Sequence, residues 1–118
     1  MAFERHTFDH IGIPTTERHT GEVFIEETKV WLTSPRAHPA NVEWLRYEPD
    51  TDVPAQVRDC PHVAYRVTDI EEAVQGHEVL MKTFEIGGGF AKISFILFED
   101  AVVEFMQYRN PAEDGWFE

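Results

Sequence analysis

The feature that most restricts the fold of this chain is a six-residue phrase that occurs twice, as V-E-W-L-R-Y from Val42 to Tyr47 and as V-E-F-M-Q-Y from Val103 to Tyr108. Half of the positions are identical, and the others exchange aromatic for aromatic, aliphatic for methionine and polar for polar. Three further echoes follow the same order at similar offsets. D-H-I-G-I at Asp9 to Ile13 matches P-H-V-A-Y at Pro61 to Tyr65, E-V-F-I from Glu22 matches E-V-L-M from Glu78, and K-V-W-L from Lys29 matches K-I-S-F from Lys92. Short matches in a shared order imply an internal duplication of a strand-rich unit, with only the loop lengths drifting between copies.

The last copy of the phrase carries the sharpest physical demand. Strand side chains alternate, so Val102, Glu104, Met106 and Tyr108 share one face while Ala101, Val103, Phe105 and Gln107 share the other. Both faces are largely apolar, which predicts a strand covered on both sides. A carboxylate there costs several kcal/mol unless a cation, a proton or hydrogen bonds compensate it. Glu104 therefore requires a partner.

Along the chain, Phe8 to Ile13 reads as a strand ended by Pro14, with His10 set among short apolar side chains. Thr15 to Gly21 has no helical apolar spacing and reads as a loop. Glu22 to Thr33 reads as two short strands with a reversal near Glu26 to Thr28, and S-P-R-A-H-P-A-N leads into the strand from Val42 to Glu48. Residues 49–60, opened by Pro49 and followed by Pro61, read as a linker in which prolines oppose both helix and strand. The second half opens with a strand from His62 to Val67. Thr68-Asp69-Ile70-Glu71 has the form of a capping box, and Ile70, Ala73 and Val74 make an apolar stripe ended by Gly76, which predicts a helix over 69–75. Strands follow over Val79 to Ile86 and Phe90 to Phe98, joined at Gly87-Gly88-Gly89, and Glu99-Asp100 turns into the last strand. The three glycines read as a hairpin turn, because a phosphate-binding loop needs a helix after it and a strand follows here. Residues 110–118 show no period; Trp116 and Phe117 either pack or stay loose.

At 118 residues, with 42% hydrophobic and 13% aromatic content, the chain makes one domain with a packed core. A net charge of −12 excludes nucleic acid as a partner and disfavours anionic membrane surfaces. No apolar run reaches the roughly 20 residues of a membrane span. The N-terminal M-A-F-E-R-H lacks the form of a signal peptide, so a cytoplasmic location is expected. The single Cys60 has no internal partner, which fits a reducing compartment and an inert thiol.

The duplication isolates four residues with chemistry. His10 and His62 stand on the two matched first strands, and Glu43 and Glu104 on the two matched last strands. If first and last strands are neighbours in each half, all four side chains converge. Two imidazoles and two carboxylates suit a divalent transition metal, and on an octahedral ion they leave two positions for water or substrate. The alternative is a set of hydrogen-bonded core histidines and a solvated Glu43, whose strand also carries Arg46. Arg66 shares parity with His62, so it is a candidate to hold an anionic substrate group; a rim salt bridge is the competing reading. His6, His19, His38 and His77 have no repeat partners and read as surface residues. Lys29 and Lys92 open their strands, where a solvated end is expected.

These residues resemble the vicinal oxygen chelate superfamily, which includes glyoxalase I, methylmalonyl-CoA epimerase, extradiol dioxygenases and the bleomycin- and fosfomycin-resistance proteins. The resemblance runs from Phe8 to Arg109 and is carried by D-H-I-G-I, by P-H-V-A-Y-R-V-T-D-I-E-E-A-V and by A-V-V-E-F-M-Q-Y. It implies an α+β fold of two tandem βαβββ-type modules forming a half-barrel cup. Module one would occupy about 7–48 and module two about 61–109, with the first module lacking a clear helix. It also implies metal ligands at His10, Glu43, His62 and Glu104, in an order similar to metal-dependent glyoxalase I. No segment is assignable to glutathione or coenzyme A recognition.

Three functions follow as expectations. The first is a metal-dependent lyase, isomerase or epimerase acting beside a carbonyl of a small substrate through an enediolate, with Glu104 or Glu43 moving the proton. Ni, Co, Mn or Zn would support it, since none needs to change oxidation state. The second is an Fe(II) dioxygenase using His10, His62 and Glu104 alone. The third is a metal-free protein that sequesters a small molecule between subunits. A homodimer is expected, because the short first module leaves apolar strand surface uncovered.

Overall fold

A computed structural model describes residues 7–110. Its strands are β1 (Thr7–Pro14), β2 (Val23–Ile25), β3 (Val30–Leu32), β4 (Val42–Tyr47), β5 (His62–Arg66), β6 (Glu78–Ile86), β7 (Ala91–Phe98) and β8 (Ala101–Tyr108). All eight join one mixed sheet in the order β2-β3-β4-β1-β5-β8-β7-β6, curled into a half-barrel. The order is symmetric about the antiparallel pair β1 and β5. On either side the first strand runs parallel to the last strand of its own half, β1 with β4 and β5 with β8, and the two middle strands extend the sheet outward. Each of the four sequence echoes thus falls on a pair of topologically equivalent strands.

β8 is buried on both faces, as its composition requires. Val102, Met106 and Tyr108 belong to the core inside the cup, while Val103 and Phe105 belong to a second core on the convex side. That second core lies under α2 (Ile70–Ala73), whose Ile70 is 1% exposed. The helix is shorter than the expected 69–75, with Val74 as its C-cap. Its cap is Asp69 rather than Thr68: the Asp69 carboxylate accepts from the Glu72 amide at 3.3 Å, and the Ile70 amide donates to Gln107 Oε1 at 2.9 Å. The anchor on β8 sets the first turn one residue later than the local pattern indicates.

No helix forms over residues 15–21. The loop there lays the His19 ring on Trp44, with centroids 4.7 Å apart and planes within 9°. Trp44 occupies the position in β4 that Phe105 occupies in β8, so an aromatic stack covers in the first half what α2 covers in the second.

The linker departs from expectation by holding α1 (Ala55–Arg58). Pro54 serves as its N-cap, where a missing amide proton costs nothing, and Val57 is buried at 1% exposure. The Glu99-Asp100 turn has positive φ at both residues, the two-residue geometry that matches strand twist. Gly87, Gly88 and Gly89 all adopt positive φ between β6 and β7. Among the described residues, no helix is long and apolar enough to cross a membrane. His6, Trp116 and Phe117 lie outside the described residues.

Candidate metal centre

Register brings the four repeat-derived side chains to one face. Gly12 on β1 is the partner of Glu43 on β4 and of His62 on β5. Ala64 on β5 is the partner of His10 on β1 and of Glu104 on β8. Directly paired residues project from the same side of a sheet, and so do residues two apart on one strand. His10, Glu43, His62 and Glu104 therefore all project into the cup, with the two smallest residues between them. β4 lies between β3 and β1 rather than at an edge, so Glu43 is buried and not the solvated glutamate of the competing reading.

The donor atoms crowd a small volume. His10 Nε2 lies 3.3 Å from both Glu43 Oε1 and Glu104 Oε1, and His62 Nε2 lies 3.1 Å from Glu104 Oε1 and 3.9 Å from Glu43 Oε1. One ligand atom from each of His10, His62 and Glu104 falls within 4.8 Å of the others. Ligands held about 2.1 Å from one ion are themselves about 3 to 3.4 Å apart, depending on geometry. Despite their proximity, His62 Nε2 and Glu104 Oε1 make no well-directed hydrogen bond to each other or to any described residue, although both are buried. Such an arrangement is costly unless something sits between the atoms. The buried His10, His62 and Glu104 can hold a metal ion.

The charges within the group offset part of the cost of burying it. Burial alone pushes the His10 imidazole towards neutrality, but the Glu43 charge, the hydrogen bond that the ring donates to Asp9 and the carboxylates of Glu104 and Glu43 beside it outweigh burial and raise its pKa well above the ordinary value. Burial likewise raises Glu104, yet the close approach and charge of the His10 and His62 imidazoles prevail and hold it below the usual carboxylate range. Tyr47, four residues along β4 from Glu43 and on the same face, is raised by burial and then by the Glu43 and Glu104 charges, so it keeps its proton.

Asp9 is the residue that pattern reading missed. Between the pairs Phe8 with Tyr65 and His10 with Ala64, β1 carries one residue more than β5, a bulge centred on Asp9. A bulge turns two successive side chains toward one side. The Asp9 carboxylate consequently reaches the His10 ring, with Oδ2 2.6 Å from Nδ1. Its other oxygen accepts from the Tyr108 hydroxyl at 2.8 Å, from Arg36 at 2.7 Å and from Arg66 at 3.3 Å. Burial opposes the charge on Asp9, but His10, Tyr108 and Arg36 hold it well below the usual carboxylate range. An ionised carboxylate only accepts, so Nδ1 carries the proton and Nε2 is the nitrogen presented to the other donors. Asp9→Asn is expected to weaken zinc or cobalt binding by about 10- to 100-fold, the usual cost of an outer-sphere partner. A chelator-competition titration measures this, and unchanged affinity would remove Asp9 from the centre.

Arg66 pairs with Asp9, its guanidinium lies 4.3 Å from the Tyr108 ring centroid, and it is not among the residues that line the cavity beside Glu43, His62 and Glu104. Arg46 is held by Glu22 in a two-point contact at 2.8 and 3.0 Å. His38 packs edge-on to Trp44, and His77 against Phe98 and Phe105, so with His19 these histidines are half-buried ring contacts outside the centre. Lys29 lies 3.4 Å from Asp50, and Lys92 is exposed. Cys60 is a half-buried thiol.

No family model and no curated protein sequence matches the chain. A solved structure, that of hypothetical protein BH1468 from Bacillus halodurans C-125, is similar to it with a TM-score of 0.62 and 19% identity, covering 94% of this chain and 100% of that one. At that identity the likeness is one of fold, and it extends over both halves of the sheet.

Proposed function

We propose that this chain is a metal-dependent lyase, isomerase or epimerase of the vicinal oxygen chelate type, acting beside a carbonyl on a small substrate with two adjacent oxygens. One observation carries the reading: the carboxylates of Glu43 and Glu104 flank the His10 Nε2 at equal distance, 3.3 Å, with His62 completing a buried group of nitrogen and oxygen donors. When bound, a divalent metal supplies charge stabilisation to an oxygen that turns negative as a neighbouring carbon loses its proton. The chain's own residues divide the remaining work. His10, His62 and Glu104 form the tighter donor group, and Asp9 orients His10. Glu43 stands at the margin of that group, 3.9 Å from His62, and is the carboxylate that takes and returns the proton. The low exposure of all four excludes bulk water from the proton-transfer step.

The position of Glu43 also favours a second reading. Without it, His10, His62 and Glu104 are a two-histidine, one-carboxylate set of the kind that serves Fe(II) oxygenases. Elemental analysis of protein purified without a metal-affinity tag, followed by an anaerobic screen of α-hydroxycarbonyl and 2-oxoaldehyde compounds, separates the two. The leading reading expects about one metal per chain and turnover without oxygen. Strict dependence on Fe(II) with one dioxygen consumed per substrate would replace it by the oxygenase. Protein that neither contains nor takes up metal would leave a small-molecule binding protein.

A further inference from the structure

The space directly over Glu43, His62 and Glu104 measures about 30 Å³, room for about one water molecule. A far larger hollow of about 550 Å³ lies beside it, open to solvent, bounded by Thr15, Thr16 and Glu17 after β1 and by Arg58 and Asp59 at the end of α1. Among the described residues, the two spaces share Leu45 and Tyr47 and no others. Both project from β4 on the side of Glu43, two and four residues further along the strand. They are the partition between the donor group and the hollow.

The two partition residues are held with unequal firmness. Leu45 is 5% exposed and belongs to the core that contains Ile93 and Phe95. Tyr47 ends β4, is half-buried at the margin of that core, and its side chain makes no hydrogen bond or ring contact with any described residue. Turning its ring breaks no hydrogen bond and uncovers a side chain already partly in water, whereas moving Leu45 opens the core. A further hollow of about 320 Å³, bounded by Cys60, Pro61, Ala101 and Val102, meets the small cavity only at His62. Passage there would displace a donor ring that lies against Gly12.

We propose that small molecules reach the candidate metal centre from the hollow between residues 14–17 and α1, crossing β4, and that the Tyr47 ring is the gate that limits their size. The proposal rests on the metal reading given above and adds to it a residue outside the four donors. Leu45 is the fixed side of the passage and Tyr47 the moving one. Selection at this point is by width, before any contact with the donor group.

Stopped-flow binding of neutral nitrogen donors to the Co(II)-loaded full chain tests it, with the visible spectrum of the metal as signal and Co(II) stoichiometry measured for every variant. Imidazole and 4-phenylimidazole offer the same donor atom and differ in bulk. The unmutated chain is expected to admit imidazole about tenfold or more faster than 4-phenylimidazole, and Tyr47→Ala to raise the 4-phenylimidazole rate by about tenfold or more. Val53→Ala removes volume from the same small cavity but faces no part of the hollow, so both rates should stay as in the unmutated chain. Thr16→Trp, at an exposed position in the hollow, should slow both ligands by about threefold or more. Equal acceleration by Tyr47→Ala and Val53→Ala would mark a general loosening of the core and overturns the gate. So does a 4-phenylimidazole rate that neither Tyr47→Ala nor Thr16→Trp alters while Co(II) remains stoichiometric; in both cases the metal reading stands. Should Tyr47→Ala fail to fold, Thr16→Trp decides alone, slowed entry supporting the route and unchanged entry overturning it. A chain that takes up no Co(II) overturns the metal reading and the gate together.

Discussion

Glu104→Gln is expected to lower metal affinity by more than a hundredfold and to leave no measurable turnover. The side chain is 4% exposed, sits on a strand buried on both faces, and approaches both imidazoles, at 3.3 Å from His10 Nε2 and 3.1 Å from His62 Nε2. Glutamine fills the same volume, so the sheet has no cavity to collapse into. What is lost is the charge, and with it the only carboxylate in the tight donor group. Outer-sphere partners of metal ligands are commonly worth 10- to 100-fold in affinity; a direct anionic ligand is expected to exceed that range. Glu43→Gln supplies the contrast. Its oxygen is 3.9 Å from His62 Nε2 and belongs to the margin of the group, so metal affinity is expected to fall by about tenfold or less while proton transfer is lost. Chelator-competition titrations with Zn(II) and Co(II), run on both variants beside the unmutated chain, give the two affinities. Equal losses of metal would show that the carboxylates are equivalent ligands and would leave the proton without an assigned acceptor.

The symmetry of these roles was legible because strands write their register into sequence with a period of two. A duplicated strand shows the same inward residues twice, and His10, Glu43, His62 and Glu104 emerge from that repetition alone. Features that depend on a partner strand were not legible. The bulge at Asp9 exists only relative to β5, and nothing in D-H-I-G-I says that Asp9 and His10 turn to the same side. Arg66 has the right parity for the cup, but Asp9 and the Tyr108 ring hold its guanidinium. Local signals failed in a similar way at the helices. Thr68 has the form of a cap, yet Gln107 on β8 anchors the Ile70 amide and Asp69 caps instead. The prolines of the linker read as helix breakers, although Pro54 stands where a helix begins and Val57 gains burial from the turn that follows.

Gly12 shows how much of the centre rests on a residue with no side chain. It is the register partner of both Glu43 and His62, and a Cβ added there falls on Cε1 and Nε2 of the His62 ring. The imidazole therefore lies flat over the glycine, and the nitrogen it would offer to a metal is among the atoms displaced. Its equivalent in the other half, Ala64, does carry a Cβ and is 0% exposed. The two halves also differ before the histidine, since β1 has an extra residue immediately before His10 whereas β5 begins at His62. Gly12→Ala is expected to destabilise the fold by about 1 to 3 kcal/mol, the usual cost of forcing an atom into a packed interior. It is also expected to reduce metal affinity at least tenfold by moving His62 away from Glu104. The backbone of β1 is not the obstacle, because among the described glycines positive φ occurs at Gly21, Gly76 and Gly87 to Gly89 and not at Gly12. The effect is therefore steric and local, and His62→Ala should relieve it. In that background Gly12→Ala should cost little further stability, so a double-mutant cycle by urea denaturation should show strong coupling between the two positions. Additive effects would mean that the glycine answers to some constraint other than the His62 ring.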